Sequence, residues 1–144
     1  VLARLDFVIA SVHSSFGQDE ATMTERIVRA VRHPCVDILG HPTGRLLLRR
    51  DGYAVDVERV LQAAAESGCA VELNANPRRL DLDPSHIGRA RALGVRVPIC
   101  PDAHSAEGMD DVDWGVRAGR HGGLTAADVP NALDAGAFVA GRRR

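Results

Sequence analysis

"VRVPICPDAHS", Val95–Ser105, is a short apolar run that stops at an acid and an imidazole two positions apart, Asp102 and His104. The apolar part is too short for a helix and rich in β-branched residues, so it reads as a buried strand. The same layout recurs in "LDFVIA" (Leu5–Ala10), "VDIL" (Val36–Leu39) and "AVELNA" (Ala70–Ala75). Helical periodicity fills the intervals. Met23, Ile27, Val28 and Val31 share one face of Asp19–His33, and Val57, Val60, Leu61 and Ala64 share one face of Val55–Ser67, with Gly68 placed as the stop. "DPSHIGRARALG" (Asp83–Gly94) has Pro84 at its start and Gly94 at its end. "MDDVDWGVRAGR" (Met109–Arg120) and "LTAADVPNALDAG" (Leu124–Gly136) read as two more helices, the second interrupted or begun around Pro130. Strands alternating with helices describe βαβ units, hence an α/β fold with a parallel sheet. Strands apolar on both faces suit a doubly wound sheet or a barrel equally well.

The 144 residues, 45% apolar and 26% charged, suit one soluble globular domain. No apolar run approaches the roughly 20 residues of a membrane span, and no charged-then-apolar leader opens the chain. A cytoplasmic protein with no membrane partner is expected. All 18 basic residues are Arg and the formal net charge is -1, so no global basic field announces nucleic acid. Cys35, Cys69 and Cys100 are odd in number and flanked by apolar residues, which fits small buried hydrophobes in a reducing compartment. The chain opens at Val1 just before a strand, which raises the expectation of a fragment.

Ligand-capable side chains follow the apolar part of each run. "VIASVHSS" gives His13, "DILGHPTGR" gives His41, "VELNANP" gives Glu72 and Asn74, and "ICPDAHS" gives Asp102 and His104. In parallel α/β folds the C-terminal strand ends form the active-site face. Strand side chains alternate, so Asp102 and His104 share a side if the chain stays extended that far, as do Glu72 and Asn74. Three imidazoles and a carboxylate converging there suit a divalent ion such as Zn or Mn. Glu72 is as consistent with a supporting hydrogen bond as with ligation, and Asn74 is an orienting hydrogen bonder. Arg45, Arg78 and Arg79 could clamp a phosphate or simply be exposed. His33, His86 and His121 lie at helix ends or in a first turn and are given no chemistry.

"SVHSSF", "DILGHPTGR", "ELNANPRRLDL", and "DAHS" followed by "EGMDDVDWGV" resemble the later part of the polymerase and histidinol phosphatase (PHP) domain. The version at the C-terminus of bacterial and archaeal family X DNA polymerases is the most similar. The likeness runs from about Leu5 to Leu133. It implies a distorted (β/α)7 barrel of the TIM-like kind, of which these 144 residues would be about the last four βα units. It implies up to three divalent ions, Mn or Zn, with His13 and His41 on one, Asp102 on a second and His104 on a third. Arg45, Asn74 and Arg78 become substrate-binding candidates. The family's H-x-H pair, further His and bridging Glu belong to sequence upstream of the "VHS" motif, so the 144 residues alone are expected to bind metal weakly and hydrolyse poorly. Without those strands, an unpaired parallel edge is also expected.

Clustered divalent ions lower the pKa of bound water toward about 7 and clamp attacking and leaving oxygens, so the implied reaction is phosphoester hydrolysis. The resemblance implies DNA as substrate, in 3′-to-5′ exonuclease or 3′-end processing during repair, with a polymerase module in the same full-length chain. Two alternatives stay open: a histidinol-phosphatase-like phosphomonoesterase, and a PHP module that has lost catalysis and serves as a scaffold. Pro101, just before the Asp102 position, departs from the small or hydroxyl residue expected there.

Overall fold

In a computed structural model, which describes residues 1–141, the four apolar runs pair in parallel in the order of the sequence. β1 (Ile9–Ala10) pairs with β2 (Ile38–Leu39), β2 with β3 (Ala70–Val71), and β4 (Leu73–Asn74) with β5 (Ile99–Cys100). The third run serves two neighbours because its backbone N–H groups alternate sides. Ala70 and Glu72 donate to Asp37 and Leu39 on one side, while Val71, Leu73 and Ala75 donate to Arg96, Pro98 and Cys100 on the other. A sequential parallel order results, with helices as the crossovers.

α1 (Glu20–Val31), α2 (Val57–Ser67), α3 (Pro84–Ala92) and α4 (Val112–His121) each pack against the next in line. Asp19, Asp56 and Asp83 cap the first three by accepting backbone N–H groups of Thr22, Arg59 and Ser85 at 2.9 to 3.0 Å, each worth about 1 kcal/mol. Gly68 ends α2 at φ 74°, as its position predicts. The core lies where the helices meet one face of the strands: Met23, Ile27, Leu61, Leu73, Leu82 and Ile87 are at most 1% exposed. Each such side chain contributes about 1.5–3 kcal/mol by leaving water.

α4 comes close to the sheet because Gly115 faces it. A Cβ there would lie 2.5 Å from both Ala75 Cβ and Ile99 Cγ2, whereas one at Gly119 would meet Leu124 Cδ1 at 3.2 Å, a movable side-chain end. Gly115→Ala gains up to about 1 kcal/mol of helix propensity but overpacks two strand residues at about 1–3 kcal/mol. It is expected to lower the thermal midpoint by several degrees while Gly119→Ala stays near neutral. Calorimetry of both variants checks the close approach.

The last expected helix is three pieces. Short 3-10 turns at Ala126–Asp128 and Pro130–Ala132 precede α5 (Ala135–Ala140), because Val129, ahead of a proline, is held extended at φ -110° and ψ 96°. This segment covers the β5 edge: Asn131 accepts the Ile99 N–H at 3.0 Å and donates to the Ile99 carbonyl at 2.7 Å. Phe138 of α5 stacks on Phe7 at 4.6 Å. Among the described residues β1 pairs with β2 alone, and Ile9 stays 54% exposed. No helix among them is long and apolar enough to cross a membrane. Of the cysteines, Cys69 is buried, and Cys35 and Cys100 are half-buried rather than fully inside.

Candidate active site

The "GHPTG" turn after β2 is shaped by groups that the chain brings from elsewhere. Asp81, fully buried, accepts the N–H groups of Thr43 and Gly44 at 3.0 and 2.9 Å. Tyr53 donates its hydroxyl to the Pro42 carbonyl at 2.7 Å, and its ring lies where a Cβ on Gly44 would fall, 2.5 Å from Cε1. Gly44 also stands at φ 64°, so glycine is required on both counts. Burial is the largest influence on Asp81 and raises its pKa against the opposing hydrogen bonds.

This frame sets His41 at φ 30°, a left-handed backbone uncommon for a residue with a Cβ, with its N–H donating to Glu72 Oε2 at 2.6 Å. The His41 ring is buried, and its Nδ1 has no hydrogen-bond partner. His13, from the end of the first run, approaches edge-on with ring centroids 5.1 Å apart and planes at 85°. Burial, followed by the charge of Arg79, pulls the His41 pKa below the ordinary imidazole value and favours the neutral ring. Asn74 is fully buried. It donates to Glu72 Oε2 at 3.2 Å and accepts the Asn76 N–H at 3.1 Å, so it orients the carboxylate rather than meeting solvent. Burial raises the Glu72 pKa and pushes the neighbouring Cys100 thiol up to about 12.

The extended geometry on which Asp102 and His104 sharing one side depends does not persist that far. Asp102 takes φ 54°, which breaks the extended geometry that alternation requires. His104 folds back so that Nδ1–H donates to the Asp102 carbonyl at 2.7 Å, and the ring is exposed. A carbonyl only accepts, so the neutral ring keeps its lone pair on Nε2, the tautomer of a ligand held by an outer hydrogen bond. The Asp102 carboxylate accepts from Arg79 Nε at 3.2 Å. Arg79, rather than its exposed neighbour Arg78, therefore reaches the site, and nothing in "NPRRL" distinguishes the two in advance. The expected phosphate clamp Arg45 is engaged inside the chain: Nε donates to the Arg79 carbonyl at 2.8 Å, and the two Nη groups reach Asp83 and the Leu80 carbonyl. Its planar fork ties the "PRRLD" turn to the start of α3 instead.

Two imidazoles at adjacent strand ends, one with an orphaned buried nitrogen, and a nearby carboxylate suit a borderline divalent cation in kind. Among the described residues no three His, Cys, Asp or Glu side chains form a group that could hold an ion.

No family model matches the chain. Known proteins do, and by them the chain belongs to the PHP family, as its motifs imply. It is 46% identical over 132 residues to DNA polymerase/3′-5′ exonuclease PolX of Bacillus subtilis (strain 168), a match over 92% of this chain and 23% of that protein. It is 35% identical over 126 residues to a probable phosphatase of Caldanaerobacter subterraneus subsp. tengcongensis, over 81% of this chain and 47% of the relative. A probable phosphatase of Thermoanaerobacter sp. (strain X514) is 29% identical over 140 residues, 91% of this chain and 55% of its own length. The chain thus spans between about a quarter and about half of these relatives.

Proposed function

We propose that the chain is the C-terminal portion of a PHP-type, metal-dependent phosphoesterase domain, directed at DNA 3′ ends and joined to a polymerase module in the full-length protein. The observation that carries this reading is the buried, partnerless Nδ1 of His41 in a ring whose centroid lies 5.1 Å from that of His13, at neighbouring strand ends. The sequential parallel strands support the last four βα units of a distorted (β/α)7 barrel as its setting. His13 and His41 would hold one ion, Asp102 a second and His104 a third. Mn or Zn ions would supply Lewis acidity and activate the attacking water.

The protein's own groups prepare that site. Burial lowers the His41 pKa and so favours the neutral ring, the form that ligates, while Glu72 holds its backbone N–H and Asn74 holds Glu72. Arg79 holds Asp102 and brings a guanidinium beside any bound phosphate. DNA as substrate is favoured by the 46% identity to a protein named a 3′-5′ exonuclease. A second reading, hydrolysis of a small phosphomonoester, draws on the relatives named probable phosphatases.

The test uses the full-length protein with Mn²⁺ or Zn²⁺, a 5′-labelled single strand and p-nitrophenyl phosphate. Metal-dependent shortening from the 3′ end, abolished by chelator, is expected. Hydrolysis of the monoester alone would favour the second reading. Failure on both substrates would leave the scaffold role and overturn the assignment of an active phosphoesterase.

A further inference from the structure

The loop that follows the "GHPTG" turn, Arg45–Gly52, has no role in the site as described, yet it presents two leucines to solvent. Leu48 is 106% exposed and Leu47 37% exposed, and Leu48 is the most exposed of the large apolar side chains among the described residues. The loop is not loose. Leu46 and Arg50 exchange backbone hydrogen bonds at 2.8 Å in both directions, which closes a tight turn and holds Leu48 at φ 62°. Arg50 clamps its root by donating to the Gly44 carbonyl at 2.8 Å and lying over the Phe16 ring at 4.5 Å.

That root contacts both segments that carry site residues. Phe16 is three positions after His13, and the Leu47 N–H donates at 2.7 Å to the carbonyl of Arg78, next to the Arg79 that pairs with Asp102. The loop is therefore a fixed rim of the candidate site, with an apolar tip. Around the tip, Arg49 and Arg78 are exposed, and Asp51 is the only acid in the segment. A rigid apolar tip between exposed guanidiniums suits a polymer that offers phosphates at its sides and flat apolar faces at its end.

We propose that this loop docks the DNA strand whose 3′ end enters the site, with Leu47 and Leu48 against the terminal bases and Arg49 and Arg78 on backbone phosphates. The proposal rests on the phosphoesterase reading and adds its selector for polynucleotide over small phosphate. A monoester is too small to touch both the site and the tip.

The test compares kcat/KM for a single-stranded oligonucleotide with kcat/KM for p-nitrophenyl phosphate, in the full-length protein with Mn²⁺, for Leu48→Ser and for Arg49→Ser combined with Arg78→Ser. Each variant is expected to lower the oligonucleotide-to-monoester ratio about tenfold, mainly through KM, the scale of one lost base or phosphate contact. The arginine pair should also flatten the dependence of oligonucleotide KM on log salt by about two phosphate contacts, which Leu48→Ser should not. An unchanged ratio, or equal loss on both substrates, would overturn the loop's role while leaving the phosphoesterase reading intact. An unchanged ratio with altered gel-filtration or proteolysis behaviour would assign the tip to a protein contact and equally overturn it. Wild-type protein inactive on both substrates would overturn both readings together.

Discussion

His41→Ala in the full-length protein is expected to reduce phosphoesterase kcat/KM by more than about 100-fold, while Glu72→Ala costs about 10–100-fold. The two residues touch, so the comparison separates direct from supporting roles. Removing an outer group that orients a metal ligand typically costs 10–100-fold, and removing the ligand itself should exceed that. Glu72 acts on His41 through the backbone, by accepting its N–H at 2.6 Å. Glu72→Gln keeps an acceptor oxygen there and should recover part of the loss. His41→Ala should leave the thermal midpoint nearly unchanged, because the ring's buried Nδ1 makes no hydrogen bond that folding would miss. Equal losses for His41→Ala and Glu72→Ala, or a collapse of stability with His41→Ala, would reverse the assignment. Steady-state kinetics and calorimetry on the three variants decide it.

The largest structural effect is expected at Asp81. Asp81→Ala leaves the Thr43 N–H without its acceptor in a site with no exposure of the Asp itself, while the Gly44 N–H keeps the His41 carbonyl at 3.0 Å. An unsatisfied buried donor costs about 1–3 kcal/mol, so a loss of about that size is expected, a sizeable part of the 5–15 kcal/mol that holds a typical domain together. Asp81→Asn retains one acceptor oxygen and should lose less. Because the turn also fixes His41, activity should fall along with stability in Asp81→Ala. Hydrogen exchange at Thr43 measures the local effect directly: its amide should lose protection in the Ala variant and keep most of it in the Asn variant. A protected Thr43 amide in Asp81→Ala would show that Tyr53 and the Gly44 conformation hold the turn without the carboxylate.

The class of fold was legible because its signals are local. Apolar runs of β-branched residues, helical periodicity and Gly68 all act within a few positions, and the paired strands and first four helices stand where those signals lie. What failed was geometry set by one backbone angle. Alternation put Asp102 and His104 on one side if the chain stayed extended, and φ 54° at Asp102 ends that geometry. Leu124–Gly136 reads as a helix interrupted or begun around Pro130, and the break does fall there, where Pro130 restricts Val129.

The site was partly legible for the same reason. Strand ends named His13 and His41, and their rings lie together because topology alone brings adjacent strand ends together. The roles of the arginines were not readable. Arg45, Arg78 and Arg79 have the same side chain within one stretch of surface, and only the path of the turns gives Arg45 to Asp83, Arg79 to Asp102 and Arg78 to solvent. Asp81 carried no signal of its own, because its partners are backbone groups 37 and 38 positions away.

The measurement that bears most directly on the centre is anomalous diffraction at the Mn edge from crystals of the full-length protein soaked in Mn²⁺. Peaks within bonding distance of the His13 and His41 rings and the Asp102 carboxylate, with the Arg79 contact to Asp102 rearranged or shared, are the expected result. Mn²⁺ bound only elsewhere, with the His41 nitrogen still unligated, would contradict the assignment of these strand ends to a phosphoesterase centre.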